Sequence, residues 1–512
     1  MHIAGMNHRL ILVTVFHAIF STFGDIETCV LNFMNVPLRH FFNESLHYHY
    51  DVSATEAEFN LIFSAIASTM FIGILVGGFT MGYMMDYYGR KATGVYIRSC
   101  LGIISALCMI LARMFLSIEF FVVGHFLAGV IASYKIVLFI YIAECAPDDR
   151  RGIAAMTIGS GAAVVMLLIQ PLCLPSIFGN DSSWWGLPAF CLGLAVIHLL
   201  VGSVFPKSPK YLYITENKKQ EAMFSISFYH GDSTDIELIE EEYDRERAIM
   251  SQGHISLKQV WDNPTLRWSL LICLVCGFVP ACSAINVKSQ YQIAMYIRFG
   301  MTQAQATLAL MILSFATFPL CIVAPLAIEK MGRRPLFLSV SALCVFELVF
   351  LMLAHAFIDF HFNLPTITSI IGVLGTLGGQ VALMMGLLNL TPIMISELCP
   401  HVARAPVGQV VQVIPIIVCF ISVLTYPVTV ARFGALYFLP LIIISSILFY
   451  LLYQNLPETA GLPVDRIVRR LTITTRSRQA SVSALMHGIE HHHHHQHYGT
   501  LINDDDNELQ RD

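Results

Sequence analysis

Charge is what this chain has least of. Asp, Glu, Lys and Arg make up 13% of its 512 residues, about half the share of an ordinary soluble protein. With hydrophobic residues at 56% and a mean hydropathy of +0.66, a water-soluble fold is excluded. The formal net charge of −5 supplies no basic field for nucleic acid. A disulfide framework is missing too, because the 13 cysteines fall mostly inside apolar segments, among them Cys100, Cys191, Cys344 and Cys419. Cys273 and Cys276 have C-x2-C spacing, but no second pair completes a metal site. No nucleophile–base pair, metal constellation or phosphate loop is legible, so the reading is no enzyme, no cofactor and no metal. The N-terminal run from Leu10 to Gly24 lacks a small-residue cleavage site before the acids that follow, and reads as a membrane helix.

What the chain has is long apolar runs. Nine stretches of twenty residues or more read as membrane spans: 59–85, 152–180, 182–206, 268–287, 299–328, 335–358, 360–396, 405–431 and 433–457. Three more are interrupted by charge: 10–32 by Asp25 and Glu27, 92–112 by Arg98, and 120–142 by Lys135. The expectation is an all-α membrane protein of twelve helices in two groups of six. Its predicted units are a first bundle over 1–205, a helical cytoplasmic linker over 206–266, a second bundle over 267–457 and a mostly disordered tail over 458–512. With both termini inside, the inner loops and tails hold 23 of the 30 Lys and Arg, as the charge bias of cytoplasmic loops requires. The sequons at Asn43 and Asn180 then fall outside, where a glycosylating lumen could reach them. The tail carries a histidine tract, His491 to His495 with His497, which reads as an unstructured run rather than a metal site.

Two motifs repeat at nearly one offset. Asp86-x2-Gly89-Arg90-Lys91 recurs as Glu329-x2-Gly332-Arg333-Arg334, and Glu144-x6-Arg151 recurs as Glu397-x6-Arg404. These acids sit where helices end on the inner side, and a helix C-terminus disfavours an anion. Arg90, Arg151, Arg333 and Arg404 are the cations expected to hold them, as a belt of ion pairs that fastens or releases the inner gate. Gly73, Gly77, Gly78 and Gly82 in the second span allow close helix approach, either as fixed packing or as a sliding surface between the halves.

The motifs together resemble those of the major facilitator superfamily, and within it the sugar porter (glucose transporter) family. The likeness spans about residues 9 to 467. It includes Tyr141-Ile-Ala-Glu144, Pro206-Lys-Ser-Pro-Lys210, Ser283-Ala-Ile-Asn286 and Pro457-Glu-Thr-Ala-Gly461 as well as both repeats. The resemblance implies the major facilitator fold and a secondary transporter that works by alternating access. The substrate would be a small polar solute, sugar-like or an organic anion, moved by uniport or with protons across a plasma membrane. The alternatives are a membrane sensor built on a transporter fold and an organic ion transporter of the same superfamily.

The family's sugar pocket is retained only at Asn286. Its neighbouring glutamines become Pro280 and Ala281, and the other contacts become Gly159, Thr317 and Pro392. Substrate contacts are therefore expected from Asn286, Gln290 and Thr317, and from Lys135 and Lys288, since an ionisable residue inside a span is by default functional. Glu27 and His125 fall where proton-coupled members carry an acid and its basic partner, which makes Asp25, Glu27 and His125 the coupling candidates.

Overall fold

The computed structural model describes residues 2–3, 6–147, 151–231, 235–250 and 255–459. The histidine tract and the rest of the tail lie outside them. Twelve spans are present among the described residues. Span 1 (His8–Phe33), span 2 (Glu56–Tyr88), span 3 (Ala92–Phe115), span 4 (Ile118–Cys145) and span 6 (Gly186–Val204) are each long and apolar enough to cross a bilayer. Span 5 is the helix Arg151–Ile169 with the 3-10 turn Gln170–Cys173. In the second half, span 7 is Pro264–Arg298 and span 9 is Arg333–Asp359. Span 8 consists of Gln303–Thr317 and Pro319–Met331, and span 10 of Pro365–Met384 and Leu387–Leu398. Span 11 (His401–Phe433) and span 12 (Phe438–Asn455) run on through a short 3-10 turn. An even number of crossings puts both ends of the chain's helical part on one face, called here the terminal face. On that face the linker folds as helices Lys219–His230, Ile236–Met250 and Leu257–Asp262. Large apolar side chains such as Leu12, Ile72, Leu107, Leu200, Ile312 and Ile447 are exposed. Lipid is the solvent that makes such a surface stable.

The duplication is visible in the backbone. Gly89 and Gly332, the glycines of the first repeated motif, share φ 90° and ψ 164°, a conformation open to glycine and strained for side-chain residues. Several spans are also broken. Span 1 turns at Ser21–Thr22 and span 7 at Ser283–Ala284. Span 10 turns at Gly386, where φ is 103°.

The four glycines of span 2 divide between the two roles expected of them. A Cβ on Gly73 would stand 2.0 Å from the Phe126 carbonyl oxygen, and one on Gly77 would stand 2.8 Å from Ser133; these two pack span 2 against span 4 within the first half. Gly78 instead looks across to Gln412 of span 11 at 3.9 Å, and Gly82 has nothing within 4 Å. Fixed packing is thus shown for the first pair, and of the second pair Gly78 lies at the surface between the halves. The span 4 partner, Gly129, would bring a Cβ to 2.0 Å from the Met70 carbonyl oxygen, where backbone cannot yield. Gly129→Leu is therefore expected to destabilise the first half by at least about 1 to 3 kcal/mol, and Gly82→Ala to leave folding unchanged. The thermal melting of the detergent-solubilised protein checks both.

The two halves meet at the face opposite the termini and part towards the terminal face. One apolar core takes residues from both halves near the opposite face, including Phe63, Tyr291 and Tyr426, with the Phe63 and Tyr291 rings 6.1 Å apart. Hydrogen bonds cross there from the Ile293 N–H to Asn32 Oδ1 (3.1 Å) and from Gln303 Nε2 to the Gly179 carbonyl (2.7 Å). Near the terminal face the cores are separate. One is built from Leu10, Tyr141 and Tyr229 and their neighbours, the other from Leu336, Leu398 and Ala403 and theirs. Gly159 of span 5 and Gly408 of span 11, like Gly82, face open space. The structure is thus open towards the terminal face and closed towards the other.

Candidate solute site and gate

A cavity of about 260 Å³ lies between the halves, walled by spans 1, 5, 7, 8 and 10. Among the described residues its polar lining consists of Asn32, Gln170, Ser289, Gln292, Ser314 and Gln380, with Lys288 the one charged residue. Amides and hydroxyls both donate and accept, so this lining suits a solute rich in hydroxyls. Gln170 and Ser314 also bond each other across the halves at 2.9 Å, which ties the state of the cavity to the closure of the far face.

Span 7 presents a different side to the cavity from the one its sequence suggested. Lys288, Ser289 and Gln292 line it. Asn286 turns back and donates to the Pro280 and Ala281 carbonyls at 3.1 and 3.0 Å. The physical reason is the break at Ser283–Ala284, which frees the last carbonyls of the preceding segment, and the Asn286 amide satisfies them. Gln290, fully buried, donates to the Thr28 carbonyl of span 1 at 3.1 Å. It seals the halves together and does not line the cavity. Thr317 is also outside the lining, with its hydroxyl donated to the Leu313 carbonyl of its own helix at 2.9 Å.

Lys135 of span 4 forms an ion pair with Asp25 of span 1. Glu27 does not share it. Two positions along the helix, Glu27 faces Ser105 and Arg98 of span 3 and is fully buried. Among the described residues neither its carboxylate nor the ring of His125 meets a partner at full hydrogen-bonding geometry, and the expected Glu27–His125 pair is not formed in this structure. Arg98, also fully buried, donates to the Ser21 carbonyl (2.9 Å) and the Ile131 carbonyl (3.2 Å) and lies 4.6 Å over the Phe23 ring. Its charge thereby holds the turn that splits span 1, at a helix C-terminus that favours a cation.

One membrane charge escaped the sequence reading. The stretch 335–358 is not free of charge, since Glu347 lies in its middle, 1% exposed and ion-paired with Lys288. A single acid within an otherwise apolar run was the available signal. The two halves are related here with the sign reversed: the first has an acid on span 1 (Glu27) and a base on span 3 (Arg98), the second a base on span 7 (Lys288) and an acid on span 9 (Glu347).

At the terminal face the repeated motifs form two matching pairs, each within one half. Arg90 Nε donates to Glu144 Oε1 at 3.0 Å, and Arg333 Nε to Glu397 Oε1 at 3.0 Å. The second oxygen of each glutamate accepts a hydroxyl from the segment that follows its own bundle, Ser208 at 2.7 Å in the first half and Thr459 in the second. Glu458 caps span 9 by accepting from the N–H groups of Arg333 and Arg334 at 3.0 and 3.2 Å. Asp86 is exposed and takes no part in an ion pair among the described residues, so Arg90 serves one carboxylate and does not bridge two. Lys207, where the family motif carries an acid, pairs with Glu216 of the linker at 2.6 Å. Arg404 Nε donates to the Cys399 carbonyl at 3.1 Å. The side chains of Arg151 and Glu329 lie outside the described residues. Among the described residues no ion pair joins the two bundles at this face.

The sequons differ in their surroundings. Asn43 is exposed on the helix Asn35–Tyr50 at the face opposite the termini. The Asn180 amide is engaged in its own loop, donating to the Pro175 and Ile177 carbonyls at 3.1 and 3.0 Å.

Residues 23–471 match the family model described as "Sugar (and other) transporter". Mouse solute carrier family 2, facilitated glucose transporter member 7, is 26% identical over 463 residues, 90% of this chain and 89% of the relative. Chicken facilitated glucose transporter member 1 is 23% identical over 447 residues, 87% and 89% of the two chains. Among solved structures, the inward open conformation of the xylose transporter XylE from E. coli superposes with a TM-score of 0.69 at 17% identity, covering 90% of this chain and 99% of that one. With twelve spans, the duplicated motifs and a family match over most of its length, this chain belongs to the Sugar (and other) transporter family.

Proposed function

We propose that this transporter carries a small hydroxylated solute, neutral or anionic, through the cavity between its halves, and that Lys288, Ser289, Gln292, Asn32, Gln170 and Gln380 are its contacts. The observation that carries this reading is the cavity lining: several amides and hydroxyls with a single charge, placed where the halves part. Lys135 and Asp25 act as a fixed pair beside the path. The relatives named as glucose transporters support a sugar-like solute. D-glucose itself is a poor substrate in this reading, because the residues that replace the family's contacts at Pro280, Ala281, Gly159 and Pro392 offer no side-chain hydrogen bond. A buried hydroxyl left without a partner costs about 1 to 3 kcal/mol, so kcat/KM for D-glucose should fall at least roughly tenfold below that of the best solute. Uptake into proteoliposomes from a panel of sugars, polyols and sugar acids checks this, and saturable D-glucose uptake at the rate of the best solute would refute it.

The charge bias supports cytoplasmic termini with Asn43 outside, and the proposal places the protein in the plasma membrane. External protease on intact cells should then leave the tail whole, and endoglycosidase should shift the mobility of the protein through Asn43. Tail cleavage from outside would reverse the orientation.

A further inference from the structure

We propose that Lys288 and Glu347 form a proton-operated switch for an anionic solute: protonation of Glu347 frees Lys288 to bind the carboxylate of a small hydroxylated monocarboxylate in the cavity. The inference rests on the cavity being the solute site and adds its substrate class and its coupling group.

Four observations place the switch. Lys288 belongs to two environments at once, since it lines the cavity and is ion-paired with Glu347 behind it. Both side chains are almost fully buried, at 5% and 1% exposure. The Glu347 carboxylate fits a notch that only glycine can leave open, because a Cβ on Gly379 would stand 2.0 Å from its Oε2. The next residue of span 10, Gln380, lines the cavity, so the notch backs directly onto the cavity wall. Among the described residues no backbone N–H or hydroxyl donates to the Glu347 carboxylate. A buried pair kept for structure alone needs such donors to offset the desolvation of two ions. Lacking them, this pair keeps its two charges only while each has the other.

The groups around Glu347 leave Lys288 as its partner. Span 7 also presents Tyr296, whose hydroxyl is shared with Thr376 (2.6 Å) and Gln292 (3.0 Å). Span 9 itself contributes Cys344, one turn away. Span 10 presents Gly375, Gly378 and Gly379, and span 12 carries no charged residue at all. Glu329, Lys330 and Glu397 sit at the terminal-face ends of spans 8 and 10.

The charges balance in one cycle. A proton adds to the Glu347 carboxylate, the Lys288 ammonium passes from that group to the carboxylate of the solute, and the buried site stays neutral throughout. On release the solute leaves as an anion, Glu347 returns its proton on the same side, and the pair re-forms. One proton accompanies one anion and no net charge crosses. A single Lys matches a single negative charge. A phosphate monoester, with nearly two charges at neutral pH and a preference for guanidinium forks, fits it less well.

The probes are D-glucuronate and D-gluconate, with D-glucose as the neutral control, on the full-length protein in proteoliposomes. A lumen one pH unit more alkaline than the medium should drive sugar-acid accumulation to about tenfold at equilibrium, as one-to-one linkage demands. A potassium diffusion potential should change nothing. Glu347→Gln should abolish accumulation while retaining exchange of labelled for unlabelled glucuronate. Lys288→Met with Glu347→Leu removes both charges; it should elute as a folded monodisperse protein and bind glucuronate at least roughly tenfold more weakly. Accumulation that ignores the pH gradient, or that survives Glu347→Gln, overturns the switch. PH-independent uptake of a neutral solute with no sugar-acid binding also overturns it and leaves the cavity as the solute site. Absence of both binding and uptake for every solute tested overturns the two readings together.

Discussion

Lys135→Met alone lowers the yield of folded protein at least roughly tenfold, and adding Asp25→Leu brings it back. The ammonium of Lys135 sits at membrane depth in span 4, and a cation there costs about 2.5 to 3.5 kcal/mol on insertion scales. In the structure that cost is offset by Asp25 of span 1, with the two side chains 14% and 25% exposed. Removing only the lysine leaves the aspartate as an uncompensated ion, which is the expensive half of such an exchange. Removing both removes the liability and leaves two apolar side chains facing each other. The partner is specific: Glu27→Gln in place of Asp25→Leu gives no rescue, because Glu27 faces span 3. Fluorescence-detected size-exclusion profiles of the three variants beside the wild type measure all of this. A Lys135→Met protein that folds and transports like the wild type would mean that the lysine reaches the interface on its own.

The sequence made the fold and the set of acids and arginines at the terminal face legible for the same reason, since both are written in spacing, although which acid meets which arginine was not. An apolar run of twenty residues has few alternatives to a membrane helix, and a motif repeated at a nearly constant offset has few alternatives to a duplicated bundle. The conformation of Gly89 and Gly332 and the matched pairs Arg90–Glu144 and Arg333–Glu397 follow from that duplication. The cavity was less legible because facing is set by where helices break. Regular helical phase puts Asn286 and Gln290 on one side and Lys288 and Gln292 on another, but it does not say which side meets the cavity. The break at Ser283–Ala284 decided that, by giving Asn286 two carbonyls to satisfy. Asp25 and Glu27 raised the same question. Their angular separation was readable, and which of them met Lys135 depended on the turn at Ser21–Thr22 and on Arg98 behind it. Glu347 was readable as a lone acid in an apolar run, although its partner 59 positions earlier in the chain was not.

Arg404→Ala is expected to hold the transporter in the state seen here, open to the terminal face, and to slow net uptake while expression stays near normal. In this structure Arg404 donates to the Cys399 carbonyl and forms no ion pair among the described residues, so truncating it costs this state little. Its neighbours show where it is needed. Glu144 and Glu397 each already hold an arginine and a hydroxyl from their own half, which fixes two anions at the terminal face. The expectation is that Arg404 of span 11 approaches the Glu144 cluster of the other half when the halves close on the terminal face. A contact made in one state and absent from the other shifts the equilibrium by its full value, about 1 to 3 kcal/mol for a charged coupling, or about 5- to 150-fold in population. The readout is a cysteine at Gly82, one turn beyond Gly78 and with nothing within 4 Å of its Cβ position in this structure, which is expected to become covered when span 2 closes on span 11. In Gly82→Cys protein, Arg404→Ala should raise labelling by a membrane-impermeant maleimide applied to the terminal face, in parallel with the fall in uptake. Conservative replacement by Lys should restore part of the uptake, because a point charge keeps the attraction without the fork geometry. Labelling and uptake that both stay at the parent level in Arg404→Ala would remove Arg404 from the gate and leave the two intra-half pairs as anchors of their own bundles.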